Sequence, residues 1–395
     1  MVTPHRRSRA AITAVFAANG ALFASLYSRL PTLQAELGLS DGELGLALLA
    51  APIGLIGAQV AGGGVAARLG SRPVTVAAGL ATACVMALPA LAGDLAALAG
   101  ALLLVGAANG ALDVSMNAQG IAVERARGTA LFTSLHAAFS FGALGGAGLG
   151  ALAAGLGAAP ELHLALASVV GVAIFLAARP ALLGPEHDAG AGAPLLARPT
   201  RALAGLGALA FCVLLAEGAM FDWSAVYLAG TLAAGPALAA AGLAVFQGAM
   251  GTGRLAGDRL AQRLGPGVLA GAGAVLAATG LAVVAAAPTP GVALAGLALG
   301  GLGLASVFPL ALRTATARAP AGEAAVALAA VSTTGYLGFM VGPPLIGGLA
   351  ELGGLRMALV VVVALCVVAA VLSQVTVRRA GRRYGDVVST PGTPR

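Results

Sequence analysis

Apolar residues run along the chain in stretches of about 20, separated by short segments that carry arginine or turn-forming residues. An α-helix needs this length to cross the hydrocarbon layer of a bilayer, so each stretch predicts one transmembrane helix. The pattern indicates an all-α integral membrane protein with little chain left for a soluble domain. Twelve helices are predicted, over residues 10–30, 43–66, 74–92, 96–121, 129–154, 162–179, 202–228, 236–258, 267–287, 291–312, 323–349 and 356–376.

Composition supports a membrane environment. Only 9% of residues are charged and 59% are hydrophobic, whereas a soluble domain carries about 25% charged residues. Arg6, Arg7 and Arg9 before the first stretch are also typical of a signal peptide. Because the apolar run continues to about Leu30, we expect it to remain as the first helix.

The arginines predict the orientation, because loops rich in cations stay on the cytoplasmic side. All 22 cations are arginine, and with the N-terminus inside, twenty of them fall at cytoplasmic positions. Only Arg29 and Arg356 fall outside. We therefore expect a bacterial plasma-membrane protein with both termini in the cytoplasm. The basic loop ends meet anionic lipid in this arrangement, so no nucleic-acid partner is predicted.

The chain contains an internal repeat with an offset near 195 to 198 residues. Asn19-Gly-Ala-Leu-Phe-Ala24 matches Glu217-Gly-Ala-Met-Phe-Asp222, and Arg68-Leu-Gly70 matches Arg263-Leu-Gly265. Such parallel halves enclose a substrate site near the middle of the membrane. We expect a six-helix bundle over residues 1–183, a cytoplasmic linker over 184–201, a second bundle over 202–377 and a disordered tail over 378–395.

With these features the sequence resembles the major facilitator superfamily. The loop motif of that family is matched by Gly63, Arg68, Gly70 and Arg72, with Ala67 where aspartate is usual. The second half has a copy that keeps the acid, from Gly253 through Arg254 and Asp258 to Arg259. The resemblance implies two pseudo-symmetric six-helix bundles and a cytoplasmic gating role for these loops, although the missing aspartate puts the first charge lock in doubt.

More narrowly, the chain is similar to YbjJ-type inner-membrane proteins, which are related to the fucose-permease branch of proton:sugar symporters. The segments that carry this likeness are Leu112-Asp-Val-Ser-Met-Asn117, Ser134-Leu-His136 and Glu217-Gly-Ala-Met-Phe-Asp-Trp-Ser-Ala-Val-Tyr227. Members of that branch carry an acidic residue in the fourth helix at the place of Asp113. The resemblance therefore implies proton-coupled uptake.

Three carboxylates in the middle of predicted spans are functional candidates, because an unpaired charge in hydrocarbon is costly. Asp113 is flanked by Asn109 and Asn117 at intervals of four residues, which puts all three on one helix face. This polar face either lines a proton or solute site or holds helices together through hydrogen bonds. His136 lies at a similar distance from the predicted hairpin turn, so we expect a carboxylate–imidazole pair with Asp113.

The other two carboxylates belong to the seventh predicted helix. Glu217 occupies the repeat position of Asn19, and both are expected to face the central cavity or to make buried structural hydrogen bonds. Asp222 is turned about 140° from Glu217. We expect Asp222 and Trp223 to act as a gate or as an interfacial anchor near the outer surface, with contact to the substrate or a proton as the alternative. Arg29 either binds an anionic substrate group or snorkels to the interface, and Gln247 is a further cavity candidate.

Several function classes are excluded by the residues that the chain lacks. ATP-driven transport needs a phosphate-binding lysine and the chain has no lysine, and no catalytic triad or metal motif indicates an enzyme. The three cysteines have unrelated spacings, so no cofactor or metal is predicted. We expect a monomeric secondary transporter that moves a small polar solute, such as a sugar or a related metabolite, in symport with protons. Proton-driven efflux and a non-transporting sensor or scaffold are the alternatives.

Overall fold

The computed structural model describes residues 4–129, 131–187, 200–201, 203–320 and 323–378. Within these ranges the chain is helical, without strands. Ten helical segments of this described part are long and apolar enough to cross a membrane. The prediction of an all-α multi-pass membrane protein is therefore confirmed. Most of the predicted linker and nearly all of the predicted tail lie outside the described residues.

Thirteen α-helices follow one another along the described chain. They are α1 (Pro4–Tyr27), α2 (Leu30–Leu37), α3 (Asp41–Leu69), α4 (Ser71–Val85), α5 (Leu95–Arg127), α6 (Phe132–Gly155), α7 (Pro160–Ala178), α8 (Ala204–Val226), α9 (Pro236–Leu264), α10 (Pro266–Ala286), α11 (Pro290–Leu304), α12 (Val307–Arg318) and α13 (Ala324–Ser373).

The helices differ from the predicted ones in their breaks. The first predicted span corresponds to α1, and the separate helix α2 follows it directly, whereas the tenth predicted span is divided into α11 and α12. The last two predicted spans form the single helix α13, which changes direction at Gly354, where φ is 80° and ψ is 162°. The apolar segment Val326–Val377 has 52 residues, more than twice the ~20 that one crossing needs. Because α9 is not among the ten apolar segments, the count of twelve crossings stays a prediction.

The internal repeat is visible in the backbone. Gly70 and Gly265 connect α3 to α4 and α9 to α10 as single residues, with φ of 87° and 82°. Two further pairs with positive φ, Gly38 with Ala233 and Gly157 with Gly354, are separated by 195 and 197 residues. These separations equal the sequence offset. The same turns are therefore built twice, even where an alanine replaces the glycine that this conformation favours.

The repeat also governs how the helices pack. In the first half α1 packs on α6 and α3 on α5, and in the second half α8 packs on α13. Some helix glycines lie at these contacts. Gly142 and Gly146 lie against the backbone carbonyls of Ala17 and Ala21, and a Cβ on Gly338 would come 2.5 Å from the Phe211 carbonyl oxygen. The halves meet where α6 packs on α9 and α3 on α13.

The predicted gating loops are not loops in the structure. Gly63 and Arg68 lie in α3, Arg72 lies in α4, and only Gly70 stands between these helices. In the second half Arg254, Asp258 and Arg259 all lie inside α9. The interpretation as loops was wrong because α3 and α9 continue past the predicted ends at residues 66 and 258, to Leu69 and Leu264, so Arg68 and Arg259 belong to helices. Arg254 and Asp258 already lay inside the predicted span 236–258.

Candidate functional site

Asp113 is held by amide groups. Gln59 of α3 donates from Nε2 to Asp113 Oδ2 at 3.0 Å, and Asn117 Nδ2 donates to Asp113 Oδ1 at 3.0 Å and to its backbone carbonyl at 2.8 Å. Tyr336 of α13 lies within interaction range of Gln59 and Asp113. Gln59, Asp113 and Asn117, with Tyr336 beside them, form what we call the Asp113 cluster, which joins α3 and α5 to a helix of the other half.

The hydrogen bonds bear on whether the polar face of α5 lines a proton or solute site or joins neighbouring helices. Asn117 bonds to its own helix, and among the described residues only Gln59 donates a hydrogen bond to Asp113 from a neighbouring helix. The Oδ1 atoms of Asn109 and Asn117 are buried without a hydrogen-bond partner among the described residues. No cation of the described chain lies within 4 Å of Asp113. The face is therefore only partly used for joining helices.

Glu217 is paired with a cation. Arg254 of α9 donates from Nη2 to Glu217 Oε1 of α8 at 3.0 Å, and from Nη1 to Ser140 Oγ of α6 at 2.7 Å. Only 12% of the Arg254 side chain and 14% of the Glu217 side chain are exposed. The ion pair is therefore an interior contact that connects both halves, and Arg254 belongs to it rather than to a cytoplasmic loop.

The predicted Asp113–His136 pair is wrong for this structure. The His136 ring packs on Phe16 of α1 and on Phe132, with ring centroids 5.4 and 4.8 Å apart. Phe16 also lies next to Gly120 of α5. Gly120 is seven residues from Asp113, or about 10 Å along the helix, so His136 lies beside a different part of α5. The reason is the position of the hairpin turn, because α5 continues to Arg127 and α6 begins only at Phe132. His136 is instead within electrostatic range of Arg254.

Asn19 and Gln247 are buried in the interior, as predicted for cavity candidates. Asn19 Nδ2 donates to the sulfur of Met116 at 3.8 Å, while its Oδ1 has no described partner. Gln247 has no described partner for either side-chain atom. It precedes Arg254 by seven residues, so the two side chains project from one face of α9 about 10 Å apart. Ser224 of α8 also has an unpartnered, buried hydroxyl group.

Asp222 and Trp223 occupy the end of the molecule that carries Gly38, Gly157 and Gly354, which we call the Asp41 end. Trp223 is fully buried, so the interpretation as an anchor at the lipid headgroups is wrong. The reason is that α8 lies in the interior of its half, in contact with α9, α12 and α13. Asp222 is buried beside Tyr27 of α1, so its role as a gate or as a substrate contact stays a prediction.

Arg29 does not snorkel to the interface. Its side chain lies at the break between α1 and α2, only 3% of the residue is exposed, and Nη2 donates to the Ala158 carbonyl oxygen at 2.6 Å. Its Nε and Nη1 atoms have no described hydrogen-bond partner. The arginine ties α1 to the turn between α6 and α7, which supports a structural role.

The two ends of the molecule differ in how the halves meet. At the Asp41 end, the Gly42 amide of α3 donates to Glu351 Oε2 of α13 at 3.0 Å, and a Cβ on Gly45 would come 2.7 Å from the Pro343 carbonyl. At the opposite end, which carries Gly70 and Gly265, Arg313 donates to Thr133 at 3.4 Å. We call this the Gly70 end.

A small, open crevice lies at the Gly70 end between α6, α9 and α12. Arg254 borders it, together with Thr133 and the exposed ion pair of Arg313 with Asp258 at 2.7 Å. Of the predicted gating residues, Asp258 therefore contacts a group that spans the halves, whereas Arg68 and Arg259 are exposed.

Sequence reasoning missed three contributors to the site, namely Gln59, Ser140 and Arg313. Gln59 had a usable signal, since it is an isolated amide within an apolar stretch, as Gln247 is. Ser140 had none, because a serine in a transmembrane helix often bonds its own backbone.

The chain was compared with known proteins. The family model described as Major Facilitator Superfamily matches residues 11–339 and 206–392. An uncharacterized MFS-type transporter of Yersinia pestis is 35% identical over 331 residues, which cover 83% of this chain and 85% of that protein.

Solved structures show the same fold. The nucleoside transporter NupG is similar with a TM-score of 0.76 and 13% identity, covering 93% of this chain and 99% of that one. The E. coli fucose:proton symporter FucP is similar with a TM-score of 0.63 and 17% identity, covering 93% and 98%.

Proposed function

The chain belongs to the Major Facilitator Superfamily and is a multi-pass membrane transporter rather than an enzyme, and we propose that it moves a small polar solute by alternating access in symport with protons. We infer two moving halves, residues 1–183 and 202–377, and a monomer in the bacterial plasma membrane with both termini in the cytoplasm. Asp113 is the proposed proton carrier. The likeness to YbjJ-type proteins stays a prediction.

This proposal rests on the difference between the partners of Glu217 and those of Asp113. Glu217 is neutralised by Arg254 at 3.0 Å, so its charge is compensated without a proton. Asp113 receives hydrogen bonds only from neutral amides among the described residues. In a medium of low polarity an uncompensated carboxylate is costly, and binding a proton removes that cost. Asp113 is therefore the better carrier of a proton that is bound and released in each cycle.

The interior groups support a neutral solute with hydroxyl or amide groups. Asn19, Asn109, Asn117 and Gln247 each have at least one buried polar atom without a described partner. These atoms include both donors and acceptors, which is what a polyhydroxylated solute requires. The names of the similar structures describe a fucose:proton symporter and a nucleoside transporter, and both substrates carry a sugar ring.

Uptake into proteoliposomes tests the proposal. Labelled L-fucose and uridine are offered with the outside acidic, and a protonophore serves to remove the gradient. We expect gradient-driven accumulation of one of them by the native protein. Asp113→Asn should lose accumulation but keep exchange of labelled for unlabelled solute, because only the coupling step is removed. Glu323→Gln, which changes an exposed carboxylate at the start of α13, is the matched control.

Each alternative function gives a different result in this assay. Accumulation by Asp113→Asn with the native proton dependence would refute the assigned role of Asp113. Proton-driven loss of preloaded solute would favour efflux, and the absence of any flux for sugars and nucleosides would favour a non-transporting sensor or scaffold.

A further inference from the structure

A second acid is buried where the two halves touch. Asp222 lies in α8 and is only 8% exposed. Its neighbour Phe221 packs edge-on against Tyr27 of α1, with ring centroids 5.0 Å apart at 74°, and Tyr27 in turn stacks on Phe23 at 6.1 Å. Tyr27 is also within electrostatic range of the Asp222 carboxyl group. Asp222 is therefore largely buried beside the contact between the halves at the Asp41 end.

The carboxyl group has no compensating partner in this contact. Within the described part of the chain, no cation lies within 4 Å of Asp222 and no hydrogen bond reaches its oxygens. Arg29 donates to the Ala158 carbonyl, and Arg356 donates to the carbonyls of Ala285 and Ala287. An ionised carboxylate buried without a partner is unfavourable, which favours the neutral acid in the covered form.

Other ionisable groups lie on the helices packed against α8. Unlike Asp222, several of them are exposed or take part in hydrogen bonds. Tyr27 is the one seen to interact with Asp222. Glu36 and Glu351 are exposed, and Glu351 accepts the Gly42 amide across the halves. The ionisable groups on the elements around this contact are Tyr27 of α1, Glu36 of α2, Asp41 and Glu43 of α3, Tyr227 after α8, and Glu351 and Arg356 of α13.

We propose that Asp222 is a proton-binding site, distinct from Asp113, whose protonation closes the molecule at the Asp41 end. When Tyr27 and Phe221 separate, the carboxyl group reaches water and releases its proton. When they meet again, the proton must be bound. This coupling rests on the proposed alternating access, whereas the buried neutral acid itself does not.

The sign of the pH dependence follows from linkage. The closed form binds the proton more tightly than the open form, so acidification favours closure. For one proton, the ratio of closed to open molecules rises by up to about tenfold per pH unit between the two proton affinities.

Distance measurements in lipid nanodiscs test the coupling. Cys84, Cys212 and Cys366 are replaced by alanine, and spin labels are attached at Leu156→Cys and Leu352→Cys, two exposed positions of different halves at the Asp41 end. We expect the short-distance population to grow several-fold on acidification from pH 8 to pH 6. Asp222→Asn, which cannot ionise, should remain closed over this range, while Glu351→Gln should keep the native response.

Infrared spectroscopy tests the proton site itself. The carbonyl stretch of a protonated carboxylic acid should be present at neutral pH in the native protein and reduced in Asp222→Asn, and Glu323→Gln should leave it unchanged. A native spectrum in Asp222→Asn would overturn the proposal, and so would a native pH response of its label distances. A retained infrared difference with one fixed distance at every pH would leave the proton site standing and refute alternating access instead.

Discussion

The ion pair between Arg254 and Glu217 allows a quantitative prediction about stability. Its atoms are 3.0 Å apart, and both side chains are mostly buried. At an effective dielectric constant of about 20 the Coulomb attraction is about 5 kcal/mol. Desolvation of the two charges offsets most of this gain, so the net contribution of the intact pair is small.

Removing one partner has a different consequence, because it leaves a buried charge uncompensated. We expect Arg254→Met to lower the free energy of unfolding by about 3 to 5 kcal/mol. Glu217→Gln should cost less, because Arg254 keeps its hydrogen bond to Ser140 at 2.7 Å. The double variant, which carries neither charge, should regain at least about 2 kcal/mol relative to the sum of the single changes.

Reversible unfolding in bicelles by increasing amounts of SDS provides the measurement, with all four proteins of the mutant cycle compared. Asp258→Asn is the control, since it breaks the exposed pair with Arg313 and should cost less than about 1 kcal/mol. If the two single effects add within about 0.5 kcal/mol in the double variant, the pair is not coupled and the electrostatic argument for Glu217 fails.

Three further predictions concern packing and local structure. Gly146→Leu should reduce the yield of monodisperse protein in size-exclusion chromatography because a side chain there meets the α1 backbone, whereas Gly148→Ala, with open space around it, should not. The single tryptophan, Trp223, should emit at short wavelength and resist quenching by brominated lipids, since it is fully buried; strong quenching would restore the anchor interpretation. Asp94→Ala should lower the free energy of SDS unfolding by about 1 kcal/mol by removing the cap bond to the Ala97 amide, and Asp94→Asn should retain most of it.

The sequence predicted those features that depend on a short stretch of residues alone. The length of apolar runs predicted the helical membrane fold, and the cost of a buried charge identified Asp113, Glu217 and Asp222. The repeat was also readable, because its turns need glycine or a residue that tolerates positive φ.

Tertiary partners were not predictable from the same rules. Glu217 pairs with an arginine 37 positions away that was assigned to a loop, since a positive charge near a span end is usually cytoplasmic. His136 was misplaced by a shift of a few residues in one turn. Trp223 was misread because helix rotation, which decides between lipid and interior, leaves no trace in an apolar stretch that is hydrophobic on all sides.

The one-residue connections at Gly70 and Gly265 have a mechanical consequence. Two antiparallel helices joined by a single residue have no slack, so neither can slide along the other by more than the rotation of one φ/ψ pair permits. In each half, the two helices joined at this glycine are then expected to move together as one rigid unit. Bending is expected instead at residues 28–29, between α1 and α2, and at residues 305–306, between α11 and α12. At these breaks one helix can change direction while its neighbour stays in place.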